Sequence, residues 1–151
     1  MNDPFCIKIL RALQEDSRTT VQQISELVGL SSTPCWKRIK DMEASGVISG
    51  YTVKVDRKKV GLNLMVVVSI MLKEHTEKWV NDFESAVSAE VNIVSCYATT
   101  GAADYVLHVV IEDIDKYDLF LKRVLLKLPG ISTVSSSMVL RESKISTKLP
   151  F

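Results

Sequence analysis

The chain has few of the residues from which catalytic and metal centres are usually built. Its 151 residues include three cysteines and two histidines. Cys6, Cys35 and Cys96 form no CxxC pair, and any bridging scheme leaves one unpaired, so the reduced cytoplasm is the expected compartment. His75 and His108 belong to no Cys/His metal-ligand spacing, and no GxSxG elbow or glycine-rich phosphate loop occurs. The longest apolar run, Leu64 to Leu72, is interrupted by Ser69 and is too short to cross a bilayer as a helix. No charged start leading into an apolar core marks a signal peptide. Glycine (6) and proline (4) are scarce, and the chain is 46% hydrophobic and 25% charged, which excludes collagen-like, low-complexity and disordered classes. No enzyme activity, cofactor or membrane is expected.

The net charge of +1 conceals an asymmetry. Residues 1–61 carry ten Lys/Arg against seven Asp/Glu, or +3; residues 62–151 carry nine against eleven, or −2. A basic front and an acidic back fit a chain whose front alone meets a polyanion.

That front reads as three short helices. Phe5, Ile9 and Leu13, with Cys6 and Leu10, recur at helical spacing behind an Asp3 N-cap and Pro4. Thr20 and Gln23 resemble a capping box for a two-turn helix with Ile24, Leu27 and Val28 inward and Gly29 at its end. Ser31, Ser32 or Thr33 can cap a third helix that has Pro34 in its first turn and Cys35, Ile39 and Met42 facing the core. Gly46 closes it, with Val47 and Ile48 returning to the same core. Two short helices joined by a glycine-containing turn on a preceding helix form the helix-turn-helix plan. The outward residues of the third helix carry the functional signal. Trp36, Lys37, Arg38 and Lys40 stand beside the hydroxyls of Ser31, Ser32 and Thr33. Such cations and hydroxyls hold phosphates, and an arginine can read guanine in the major groove; a solvated charged face is the alternative.

Tyr51, Val53 and Val55 alternate with polar residues, which predicts a short linker strand forming a small wing. The following Arg57-Lys58-Lys59 fits either a phosphate contact or a wetted loop. The second half then contains a near-repeat, with Phe83 and Phe120, Val87 and Val124, and Val94 and Ile131 each 37 apart. Strands are expected at 64–72, 91–99, 105–111 and 131–140, and helices at 76–88 and 115–128, the second ended by Pro129-Gly130. This βαββαβ order is the ferredoxin-like plan, so the fold class is α+β. Strands 64–72 and 105–111 are apolar with little alternation, which predicts that a second copy of the chain covers the open face of the sheet, as a homodimer.

The loop Thr99-Thr100-Gly101-Ala102-Ala103-Asp104-Tyr105 admits two readings. One is a plain hairpin turn with Gly101 at positive φ. The other is a small-molecule pocket in which turn N–H groups take a carboxylate and Asp104 or a hydroxyl takes an ammonium. Ser135-Ser136-Ser137 in the last strand can face the same region.

The stretches Ile9-Leu10, Val28-Gly29-Leu30-Ser31, Ser32-Thr33-Pro34-Cys35-Trp36-Lys37-Arg38-Ile39, Glu43 to Tyr51 and Thr100 to Tyr105 together resemble the Lrp/AsnC (feast/famine) family of transcriptional regulators. The resemblance runs nearly end to end. It implies a winged helix-turn-helix domain at 1–50, a hinge at 51–62, and a βαββαβ effector-binding and oligomerisation domain at 63–151. The implied partners are double-stranded DNA and an amino acid or related metabolite, in dimers that assemble further, often to octamers. The implied effector cleft lies between dimers, lined by the turn matching Gly101 to Tyr105 and less specifically by Ser135 to Ser137. Two competitors use the same scaffold: a siroheme-decarboxylating enzyme, disfavoured by the acidic back half and its two histidines, and an architectural DNA-binding protein without effector.

Overall fold

The computed structural model describes residues 3–151, which form two compact units. The first comprises the chain up to Lys54 together with Lys144–Phe151, and the second runs from Val55 to Ser143.

In the first unit, three helices follow the local signals closely. α1 (Pro4–Glu15) begins where the Asp3 carboxylate accepts the Phe5 N–H at 2.8 Å and Pro4 occupies a position that needs no N–H donor. α2 (Val21–Val28) opens with a complete Thr20/Gln23 capping box and ends at Gly29, whose φ of 74° is the left-handed conformation that lets the chain turn sharply. α3 (Ser32–Ala44) starts from Ser31, whose hydroxyl makes no capping hydrogen bond. Ile9, Leu10, Ile24, Val28, Cys35, Ile39 and Met42 interlock as the core. Leu27, expected inside, is 70% exposed: a two-turn helix presents only one narrow stripe, and Ile24 and Val28 fill it. Ile48 returns to the core, but Val47 stays outside.

The segment 144–151, assigned from sequence to the second domain, instead packs on α1. Phe151 joins the core cluster, its carbonyl accepts Arg11 Nε at 2.6 Å, Leu149 N–H donates to Gln14 at 2.6 Å, and Lys148 pairs with Glu15. Its aromatic end covers apolar surface that three short helices leave open.

The expected strand at Tyr51–Val55 does not form, and no two-stranded wing is present among the described residues. A strand requires a ladder partner, and this segment pairs with no strand of the four-stranded sheet. Arg57 is fixed by the carbonyls of Leu62 and Asn63, both at 2.8 Å, and by Glu142 at 3.0 Å, whereas Lys58 and Lys59 are exposed.

The second unit is β1 (Leu64–Leu72), α4 (Glu77–Ser88), β2 (Ile93–Ala98), β3 (Tyr105–Ile111), α5 (Ile114–Arg123) and β4 (Ile131–Met138). The sheet is antiparallel in the order β2-β3-β1-β4. α5 is shorter than expected: Leu125–Lys127 tightens into a 3₁₀ turn before Pro129. Burial alternates along β1 and the first part of β3. Val66, Val68, Ile70 and Leu72 of β1 and Tyr105, Leu107 and Val109 of β3 pack with Phe83, Val87, Tyr117 and Phe120 from the two helices. By register, the other face carries Val67 opposite His108 and Ser137, and Ser69 opposite Val106 and Ser135. A bulge between Ile93 and Ser95 turns Val94 outward, so the repeat that pairs Val94 with Ile131 fails there. Among the described residues, no helix is long and apolar enough to cross a membrane.

Candidate nucleic-acid and effector sites

The surface of α3 follows from helical rotation. Thr33, Trp36, Lys37 and Lys40 recur at three- and four-residue steps and form one exposed stripe, opposite buried Cys35, Ile39 and Met42. Trp36 is 53% exposed. Lys40 donates to Glu43 at 2.6 Å, and the Tyr51 hydroxyl donates to the other Glu43 oxygen at 2.9 Å. These two bonds, that from Lys40 first, hold the Glu43 carboxyl below its ordinary range. Lys37 makes no ion pair among the described residues. Ser31 and Ser32 sit exposed at the helix start, with Ser32 Oγ 3.4 Å from Ser25 Oγ.

Arg38 points elsewhere. At about 100° per residue it lies roughly 150° around the helix from the centre of that stripe. Its Nε donates to Asp3 at 2.8 Å, a second nitrogen donates to the Pro34 carbonyl at 3.3 Å, and the guanidinium lies 5.6 Å from the Phe5 ring centre. The hydrogen bond from Arg38, reinforced by the Phe5 N–H, lowers the Asp3 pKa. Arg38 therefore joins α3 to the N-cap of α1.

In the second unit, the β2–β3 turn leaves Thr99, Thr100, Gly101 and Ala102 exposed, and Gly101 has a φ of 114° that disfavours any side chain. Asp104 binds inward to its own fold. One carboxylate oxygen accepts the Leu72 N–H at 2.7 Å, and the other accepts His75 Nε2 at 2.8 Å. The Leu72 N–H, then His75, holds the carboxyl below its usual range. Thr99 closes the turn from the other side, its N–H on the Asp104 carbonyl at 2.9 Å and its hydroxyl on Ala103 at 2.7 Å. Tyr105 leaves the loop for the core, its ring centre 4.6 Å from that of Phe83 and tilted 43° to it, with its hydroxyl donating to Glu84 at 2.7 Å. Burial and this bond to Glu84 raise the Tyr105 pKa to about 12. The three serines of β4 also divide. Ser136 faces the helices and bonds the Tyr117 hydroxyl at 2.6 Å, while Ser135 and Ser137 lie on the opposite face. Sequence reasoning missed His75, whose adjacency to Asp104 arises only from the pairing of β1 with β3. Burial, the leading cause, raises the pKa of all three thiols, which makes them weak nucleophiles.

A helix-turn-helix with a basic, aromatic stripe, on one chain with a ferredoxin-like unit, defines the class as a DNA-binding transcriptional regulator. Residues 3–49 match the winged helix-turn-helix DNA-binding model, and residues 65–149 match the Lrp/AsnC ligand binding domain. The chain is 35% identical over 150 residues to the transcriptional activator DecR of Escherichia coli, with 99% of each chain covered. It is 36% identical over 148 residues to the glutamate uptake regulatory protein of Zymomonas mobilis, covering 98% of this chain and 90% of that one. Among solved structures, a transcriptional regulator from Neisseria meningitidis in complex with L-Met superposes at TM-score 0.94 with 33% identity, covering 99% and 97% of the two chains. An AsnC family regulator from Agrobacterium tumefaciens superposes at TM-score 0.93 with 42% identity, covering 98% and 96%. The chain belongs to the Lrp/AsnC family of transcriptional regulators.

Proposed function

We infer that this regulator senses a free amino acid at the β2–β3 turn and works in the cytoplasm without catalytic activity. Its proposed assembly is a homodimer that builds further, to an octamer, with the effector between dimers. The observation that carries the sensing role is the open turn Thr99–Ala102, in which small residues and a left-handed glycine leave backbone groups accessible at one end of a rigid sheet. The ligand-binding model over residues 65–149 and the L-Met complex of the Neisseria meningitidis neighbour support an amino acid there. Because the Asp104 oxygens already hold Leu72 and His75, the ammonium group falls to the Thr99 and Thr100 hydroxyls and to groups from a neighbouring dimer. A dimer sets two copies of α3 about one DNA turn apart, which supplies the affinity that one short helix lacks. The effector acts by binding one assembly better than another, since equal affinity shifts nothing.

The test is a thermal-shift screen of the full-length protein against the proteinogenic amino acids, L-Met included. A ligand at 100 Kd adds about 2.7 kcal/mol of stability. A dose-dependent stabilisation by one amino acid is the expected result; protein that binds DNA yet is shifted by no amino acid overturns the sensing role.

A further inference from the structure

The DNA-reading face of α3 contains no arginine. Its base-reading equipment is one indole, one threonine and two lysines: Trp36, Thr33, Lys37 and Lys40. Arg38, the one arginine of the helix, is held by Asp3 and Pro34 and shielded by Phe5 on the opposite side. A bidentate arginine–guanine contact, the commonest specific contact in the major groove, is therefore unavailable without breaking the tie between α1 and α3. Trp36 occupies the fifth position of α3, in its N-terminal half, where a recognition helix meets base edges. An indole is a broad apolar plane with a single N–H donor. The major groove offers such a plane one apolar partner, the C5-methyl of thymine. The Thr33 methyl lies three residues back on the same stripe, while Lys37 and Lys40, one and four residues further on, suit phosphates and guanine acceptors.

The geometry points to Trp36 as the specificity-determining residue of this regulator, reading thymine methyl groups in the major groove. This deepens the assignment of DNA binding to α3 and rests on it. A lone exposed tryptophan is common on protein surfaces, so the test must detect the methyl itself. Full-length protein first selects duplexes from a random library; the best selected duplex is then resynthesised with deoxyuridine in place of thymidine, one position at a time. Deoxyuridine removes only the methyl and keeps the pairing edge. Wild-type protein is expected to bind about fourfold more weakly for each thymine read, the effect of one buried methyl. Trp36→Ala is expected to bind thymidine and deoxyuridine duplexes equally, and Trp36→Phe to retain part of the discrimination. Equal wild-type binding to both duplexes at every position overturns the inference, as does a folded Trp36→Ala that still discriminates. If no duplex is enriched, the assignment of DNA binding to α3 fails, and this inference fails with it.

Discussion

Single side chains in this protein have roles that their chemistry alone does not reveal. Arg38 is the clearest case. A guanidinium beside two lysines on a recognition helix suggests base contact, yet its bonds to Asp3 and Pro34 make it a brace between two helices. Arg38→Ala is expected to lower the melting temperature without changing the salt dependence of DNA binding. Lys37→Ala should do the reverse, leaving the melting temperature alone and reducing the slope of log affinity against log salt by about one. A filter-binding salt series on the two variants checks both. Tyr105 behaves similarly: it belongs to the core, and its phenol is held by Glu84. Its pKa of about 12 in the fold exceeds the ordinary 10.0, so the stability it supplies is fully present below pH 10 and is lost as pH rises toward 12. A spectrophotometric alkaline titration should show the Tyr105 phenolate among the late-forming ones, because burial also raises Tyr51 and Tyr117. Tyr105→Phe should reduce the late absorbance by one phenolate and cost about 1–2 kcal/mol.

At the scale of elements, local rules specified most of what is seen. The Thr20/Gln23 box, the Gly29 stop and the bounds of β1 and β3 are legible because capping, left-handed glycine and apolar runs act over a few residues. The strand expected at Tyr51–Val55 failed because alternation marks a segment that can pair but does not supply the partner. The helix pattern placed Thr33, Trp36, Lys37 and Lys40 on one exposed face but not the direction of Arg38, since Asp3 lies thirty-five residues away in sequence. In the same way, Ser136 separates from Ser135 and Ser137 through strand alternation, which was available from sequence, but its bond to Tyr117 was not. The join between α5 and β4 carries a tighter constraint than its Pro-Gly sequence suggests. Gly130 has φ of 74°, and a Cβ there would come within 2.6 Å of the Trp79 ring. Gly130→Ala is therefore expected to cost about 1–3 kcal/mol, from left-handed strain and displacement of the indole together, measurable by urea unfolding.

For the whole molecule, the second unit has one finished face and one unfinished one. Both of its helices pack on one side of the sheet, and Val67, Val106 and Met71 lie on the other. The proposed homodimer closes that face. Val67→Glu should convert the dimer to monomer in sedimentation equilibrium, because a carboxylate cannot be buried there unpaired. The first unit is completed differently, by residues 144–151 laid along α1. These residues are synthesised after the entire second unit. A growing chain can form its three helices early but cannot finish the core around Ile9 and Ile24 until translation has passed through the sensing unit. A chain cut before residue 144 is therefore expected to leave this apolar surface of α1 uncovered and to be cleaved faster by added protease.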